Sequence, residues 1–339
     1  MEILVTLPQG EVRETFLTAD VKERLSTLGR VHYNELGRQY TRAELKEALV
    51  GMDVAVYGWG TPALTDDVIE GNDTIKMLAH TGGSVADYIN ASTYEKGIRV
   101  VSGNKLYAES VAEATVAYIL SALRYIPDQV YAMKEGGWRA PAYAFDRGIL
   151  GRRIGILGVG TIARYLMQML RPFHCSFLVW DDNYTVDSAF LESVNARQTT
   201  LEEVMSSCSV VSLHASLTEK SRGMIGKNEL AMLPKGAVFI NTARGAIVRE
   251  AELCELLTER TDLSVVLDVY EKEPLDDHSP LRKLPNAYLM PHRGGPTVDY
   301  RASVGMAMAD EIERMSKGEP LQHEIPLEAA LRMTTHHLK

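Results

Sequence analysis

The chain has 339 residues, a length that suits two domains of ordinary size. Its 45% hydrophobic and 24% charged residues give the balance of a globular protein that can bury a full core without disulfide or metal staples. A net charge of -9 excludes a broad basic footprint, and no apolar run is long enough to span a bilayer, so neither nucleic acid nor membrane is an expected partner.

The opening MEILVTLPQG reads as a strand and turn, with no basic n-region or long apolar h-region, which predicts a cytoplasmic protein. Five short aliphatic runs follow one another through the first third: EILVTL (2–7), RVHYN (30–34), DVAVYG (53–58), IKMLAH (75–80) and IRVVS (98–102). Helical patterns separate them. One opens at Thr41 with Glu44 three residues on, a capping box. A long helix is expected from about Ala108 to Lys134, with Val111, Ala114, Tyr118 and Ala122 on its apolar face. After the turn-rich residues 136–148 a second series begins: RIGILG (153–158), SFLVWD (176–181), SVVSLHA (209–215), AVFINT (237–242), SVVLDVY (264–270) and AYLMPH (287–292). Continuous apolar strands alternating with helices predict an α/β protein with two doubly wound parallel-sheet domains, closed by a last helix over 297–317. Cys175, Cys208 and Cys254 are scattered, with no CxxC or Cys/His cluster, so reduced core thiols and no metal are expected.

The strand RIGILG runs into Gly158-Val159-Gly160-Thr161-Ile162-Ala163, a GxGxxA turn at the start of a helix. Gly158 permits the tight turn, Gly160 lets backbone approach a pyrophosphate, and the helix N-terminus at Thr161 and Ile162 offers free amides and positive dipole. Asp181 closes the next strand 23 residues beyond Gly158, where an acidic side chain would take the adenine-ribose hydroxyls. With Asp182 beside it and no adjacent arginine, NAD is favoured over NADP.

Three residues at later strand ends suit the chemistry of a 2-hydroxy acid. His292 follows AYLMP, Glu273 lies in LDVYEKEP, and Arg244 follows AVFINTA. Reducing a 2-oxo acid creates an alkoxide that needs a proton near neutral pH, which fits histidine. A carboxylate beside it fixes the tautomer, and an arginine fork can grip the substrate carboxylate.

In GRRIGILGVGTIA, VVSLHASLTEKSRGMIG, GAVFINTARGAIV, LDVYEKEPL and PHRGG, in that order, the sequence resembles the D-isomer-specific, NAD-dependent 2-hydroxyacid dehydrogenase family over roughly residues 75–320. The resemblance implies catalytic Arg244, Glu273 and His292, with Asp268 binding the nicotinamide carboxamide and Thr218, Thr242, Ala243 and His292 along the nicotinamide. It implies a flavodoxin-like substrate domain of residues 1–105 and 296–339 around a Rossmann NAD domain of 106–295. A homodimer is implied too, with the segment near 108–150 in its interface and Trp138 capping the partner's site. The family's carboxylate-binding loop falls on Gly83, Ser84 and Val85, in an altered GGSVAD. Tyr107 and Arg293 also depart from the common pattern, and together with Trp59, in the loop after a substrate-domain strand, they are expected to shape the pocket for a substrate other than glyoxylate or lactate.

The expected activity is therefore hydride exchange between NAD(H) and a small D-2-hydroxy or 2-oxo acid. A phosphoglycerate dehydrogenase-like activity is an alternative, although no regulatory domain is expected after residue 320. Formate dehydrogenase is disfavoured by Glu273 in place of glutamine. A non-enzymatic NAD-sensing scaffold, like the C-terminal-binding-protein corepressors, is the alternative of a different kind.

Overall fold

A computed structural model describes residues 1–138, 147–182 and 185–333. The chain divides into two compact units, Met1–Tyr107 with Pro296–Lys339, and Ala108–Gly295.

The discontinuous unit is built on five parallel strands: β1 (Glu2–Pro8), β2 (Arg30–Asn34), β3 (Val54–Tyr57), β4 (Met77–His80) and β5 (Arg99–Ser102), in spatial order β2-β1-β3-β4-β5. Both faces are covered, so β3 and β4 are buried at every position, and their sequence is a continuous apolar run rather than an alternating one. Helices α1 (Glu11–Phe16), α2 (Ala19–Leu28), α3 (Arg42–Ala48), α4 (Asp66–Ile69) and α5 (Ala91–Glu95) connect the strands. At α3 the expected capping box is present: Thr41 Oγ1 accepts from the Glu44 amide and Glu44 Oε2 accepts from the Thr41 amide (2.8 Å).

The central unit carries seven parallel strands: β6 (Arg153–Leu157), β7 (Ser176–Trp180), β8 (Ala196–Gln198), β9 (Val210–Leu213), β10 (Val238–Asn241), β11 (Ser264–Leu267) and β12 (Ala287–Leu289). Their order is β12-β11-β10-β9-β6-β7-β8, so the sheet winds outward both ways from the β6/β9 pair. Every aliphatic run expected as a strand forms one. The short edge strand β8 was not expected, because Ala196-Arg197-Gln198 offers no apolar face.

The long helix expected over 108–134 is two helices, α6 (Asn104–Leu123) and α7 (Ile126–Lys134). Pro127 has no amide hydrogen for the Leu123 carbonyl, which instead accepts from the Arg147 amide (3.0 Å), and Tyr125 takes the left-handed conformation (φ 49). The buried line of α6 is also displaced from the expected one. Ala112, Thr115, Ile119 and Ala122 are fully covered, whereas Val111, Ala114 and Tyr118 lie on its flank. Helices α8 (Thr161–Leu170), α9 (Ser188–Ser193), α10 (Leu201–Ser207), α11 (Lys227–Ala231) and α12 (Glu250–Glu259) complete this unit.

The chain then returns to the discontinuous unit as α13 (Arg301–Lys317) and α14 (Leu327–Ala330). The expected start at 297 is instead a turn, with Tyr300 and Arg301 donating to the Thr297 carbonyl. Val304, Met308, Ala309 and Ile312 pack α13 into the core of α1 and α2. Cys175 and Cys208 are buried free thiols and Cys254 is half-buried. Among the described residues no helix is long and apolar enough to cross a membrane, and no group of three or more His, Cys, Asp or Glu is arranged to hold a metal ion.

Candidate active site

The glycine turn lies where the central sheet changes direction. Gly158 has φ 90, and a Cβ there would stand 2.6 Å from the Ala215 backbone just beyond β9, so no larger residue fits. Gly160 is different: a Cβ would meet nothing within 4 Å, which leaves the mouth of α8 open to an incoming group. Thr161 and Ile162 form the first turn of α8, with no side-chain cap on its amides. Ala163 is fully buried against the sheet. Asp181, at the end of β7, accepts from the Val159 amide (2.7 Å), which ties the acidic strand end to the glycine turn. Lys220 pairs with the neighbouring Asp182, a cation that spacing along the sequence could not reveal. An open, amide-lined helix N-terminus beside a carboxylate fits the pyrophosphate and ribose of a dinucleotide.

Beyond β10, Asn241 is buried and its side chain fixes the turn. It accepts from the Ala243 amide (3.0 Å) and donates to the Arg244 carbonyl (3.1 Å). Thr242 is buried beside Thr115 (3.4 Å between hydroxyl oxygens), and Ala243 is covered. Arg244 donates from Nη1 to the Ala243 carbonyl (2.6 Å). Gly245 follows because a Cβ there would overlap the Tyr270 carbonyl carbon at 1.8 Å. The Arg244 turn is thus pressed against the loop that carries Glu273. That loop is held by Tyr270, whose single hydroxyl proton is shared between the Met290 (2.8 Å) and Leu267 (3.1 Å) carbonyls, and whose amide donates to Glu273 Oε1 (3.0 Å).

The other Glu273 oxygen, Oε2, lies 2.6 Å from His292 Nδ1. His292 itself sits at φ 52, an unusual conformation for a side chain of this size. Asp268 explains how it is held. This buried carboxylate accepts from the Arg293 amide through Oδ1 and the Gly294 amide through Oδ2, both at 2.7 Å, and Tyr118 donates to Oδ1 at 3.3 Å. A Cβ at Gly294 would stand 2.7 Å from Asp268 Oδ2, so the turn closes on glycine.

The electrostatics follow from these contacts. Burial pushes the Asp268 carboxyl up, against the pull of the Arg293 and Gly294 amides. Burial also acts to raise Glu273, but the His292 hydrogen bond and the Tyr270 amide hold it below the usual carboxylate range. Glu273 in turn raises His292 above its ordinary value, with burial and the Arg244 charge opposing. The pair is an imidazole biased toward its protonated form beside an ionised carboxylate, with an arginine close enough to act on both.

Thr218 is engaged locally: its amide donates to Ser221 Oγ (2.8 Å), and its hydroxyl accepts from the Ser221 amide (3.1 Å). In the discontinuous unit, Gly83, Ser84 and Val85 form the loop after β4. Val85 is fully buried and anchors it, the Gly83 carbonyl accepts from Ser102 Oγ (3.0 Å), and the Ala86 amide donates to Ser84 Oγ (3.4 Å). The Tyr107 ring lies beside Gly83 and edge-on to Trp59 (6.0 Å between centres). Sequence reasoning missed Tyr118, Gly245 and Tyr270. The Arg-Gly pair at 244–245 was a signal for close backbone approach, whereas nothing local marks a tyrosine that reaches an aspartate 150 residues away. Trp138 is 77% exposed, and residues 139–146 of the expected interface segment lie outside the described residues.

Residues 116–294 match the family described as D-isomer specific 2-hydroxyacid dehydrogenase, NAD binding domain. The chain is 31% identical over 324 residues to D-3-phosphoglycerate dehydrogenase of Methanocaldococcus jannaschii, covering 94% of this chain and 58% of that protein. It is 28% identical over 271 residues to hydroxypyruvate reductase of Thermotoga maritima, covering 79% of this chain and 86% of that protein. The chain spans about half the length of two further D-3-phosphoglycerate dehydrogenases that it matches, 49% and 50%. In fold it is similar to the NAD-complexed D-isomer specific 2-hydroxyacid dehydrogenase of Lactobacillus delbrueckii ssp. bulgaricus, with a TM-score of 0.77 and 20% identity over 96% of this chain and all of that one.

Proposed function

The chain belongs to the D-isomer-specific 2-hydroxyacid dehydrogenase family, with NAD as its cofactor, and from that premise we propose that it interconverts a D-2-hydroxy acid and its 2-oxo acid. The observation that carries this reading is the 2.6 Å contact between His292 Nδ1 and Glu273 Oε2. With Nδ1 turned to the carboxylate, Nε2 is the nitrogen left to serve the substrate oxygen. In the reducing direction His292 gives its Nε2 proton to that oxygen as negative charge develops there. Glu273 stabilises the imidazolium before transfer and fixes which nitrogen carries the mobile proton. Arg244, in the central unit, is the proposed anchor of the substrate carboxylate by its planar fork, and Gly83, Ser84 and Val85, in the discontinuous unit, are proposed carboxylate-binding residues. A bound nicotinamide would supply hydride chemistry at C2 of the acid. Asp268 positions His292 through the two amides it holds, and Thr218, Thr242 and Ala243 line the nicotinamide side.

The proposed molecule is a cytoplasmic homodimer. Helix α7 has no buried residue and presents Ile126, Val130 and Met133, spaced as one face of a helix and each about half exposed, an apolar stripe suited to a second copy of this chain. The reaction is tested by incubating the protein with NADH and a panel of 2-oxo acids and resolving the product enantiomers. The D-hydroxy acid is expected; an L product would overturn the assignment.

A further inference from the structure

The sheet of the discontinuous unit reverses direction between β1 and β3, and in open parallel sheets ligands bind beyond the carboxyl ends of strands at such a point. An aromatic cluster with one cation stands there. Trp59 follows β3 at a turn that Gly60 (φ 76) permits, and Gln39 Nε2 donates to its carbonyl (2.6 Å). Phe16 ends α1 and packs edge-on to Trp59 (5.5 Å). Arg301 opens α13, which approaches α1 so closely at Gly305 that a Cβ would lie 1.9 Å from the Phe16 carbonyl oxygen. The Arg301 guanidinium is thereby set 5.5 Å from the ring centres of both Phe16 and Trp59.

Two donors in this cluster are unsatisfied. Arg301 Nη1 makes one long bond to Thr15 Oγ1 (3.4 Å), but its Nε is buried without a hydrogen-bond partner. Among the described residues no carboxylate pairs with it. The Tyr107 hydroxyl is likewise buried without a hydrogen-bond partner. Burial pushes this phenol well above its usual range, so it stays a protonated donor. Buried polar groups are normally paired, and leaving two unpaired in one place costs stability that a ligand acceptor would restore. Gly83, in the loop assigned to the carboxylate next to the reacting carbon, lies beside the Tyr107 ring.

We propose that Arg301, Tyr107 and Trp59 recognise the far end of the substrate, and that the substrate is a 2-oxo acid whose side chain ends in an oxyanion, a carboxylate or a phosphate. This rests on the reaction proposed above. Arg301 supplies charge and a fork for the oxyanion, Tyr107 a neutral donor, and Trp59 an apolar wall for the intervening carbons.

The test is NADH-dependent reduction of two matched pairs: 2-oxoglutarate against 5-methyl-2-oxohexanoate, and 3-phosphohydroxypyruvate against hydroxypyruvate. The quantity read is the kcat/KM ratio, charged over uncharged, which does not depend on the fraction of a variant that folds. Wild type is expected to give a ratio above roughly 10 in one pair, which identifies carboxylate or phosphate. Arg301→Met should bring that ratio toward one, and Tyr107→Phe should lower it a few-fold. A wild-type ratio near one in both pairs, or a ratio unmoved by Arg301→Met, would overturn the proposal while leaving the dehydrogenase reading intact. Turnover of none of the four acids, nor of any other 2-oxo acid, would overturn both.

Discussion

The proposed chemistry at residue scale depends on one short contact, between Glu273 and His292, and on the groups that hold each of them. Because Glu273 raises the His292 value, reduction should be fastest where the imidazole is protonated. Its kcat/KM is expected to stay level at low pH and to fall as pH rises through that raised value; oxidation should show the opposite trend. Glu273→Gln removes the largest cause of the shift, so the fall should begin at lower pH, and a pH–rate profile of the two proteins reads it directly. An unmoved profile would mean that Glu273 does not set the imidazole's titration. Arg244, Glu273 and His292 were candidates from the sequence because each lies in the loop that follows a strand, β10, β11 and β12 in turn, and strand ends converge in a doubly wound sheet. The role of Asp268 in gripping the Arg293 and Gly294 amides could not, since it depends on a 2.7 Å fit that only folding creates. The unsatisfied donors of Arg301 and Tyr107 were hidden for the same reason: a missing partner leaves no trace in a sequence.

Among elements, the glycine turns separate folding from binding. Gly158 is confined by its φ of 90 and by the Ala215 backbone, whereas Gly160 faces open space. Gly158→Ala should therefore destabilise the protein by more than about 1 kcal/mol. Gly160→Ala should leave stability within about 1 kcal/mol while its methyl occupies room the pyrophosphate needs, so NADH affinity falls. Thermal melts and NADH fluorescence titrations of the two variants measure both effects, and loss of stability rather than affinity in Gly160→Ala would contradict the assignment. The strands were legible because covered parallel sheets demand uninterrupted apolar runs, as in β9 and β10. Two features were not. Edge strand β8 has no apolar signature, and the break between α6 and α7 turns on the missing amide of Pro127 and the left-handed Tyr125.

On the scale of the whole molecule, the proposed homodimer rests on the exposed apolar stripe of α7. Sedimentation equilibrium is expected to give twice the 37.6 kDa chain mass. Charges at the stripe, as in Val130→Lys with Met133→Lys, should shift the protein toward monomer; a monomeric wild type would remove the homodimer. The division into a discontinuous and a central unit leaves a mark in the sequence, because the strand that leads into the glycine turn is the sixth of the chain. The proposed catalysis turns on proton transfer by His292. It is tested most directly by the rate of NADH oxidation, with the best 2-oxo acid of the panel, in His292→Ala against wild type at saturating NADH. A loss on the order of 10²- to 10⁴-fold is expected, with NADH affinity retained. An undiminished rate in the variant, or a wild type that binds NADH tightly yet consumes none of the acids, would contradict it.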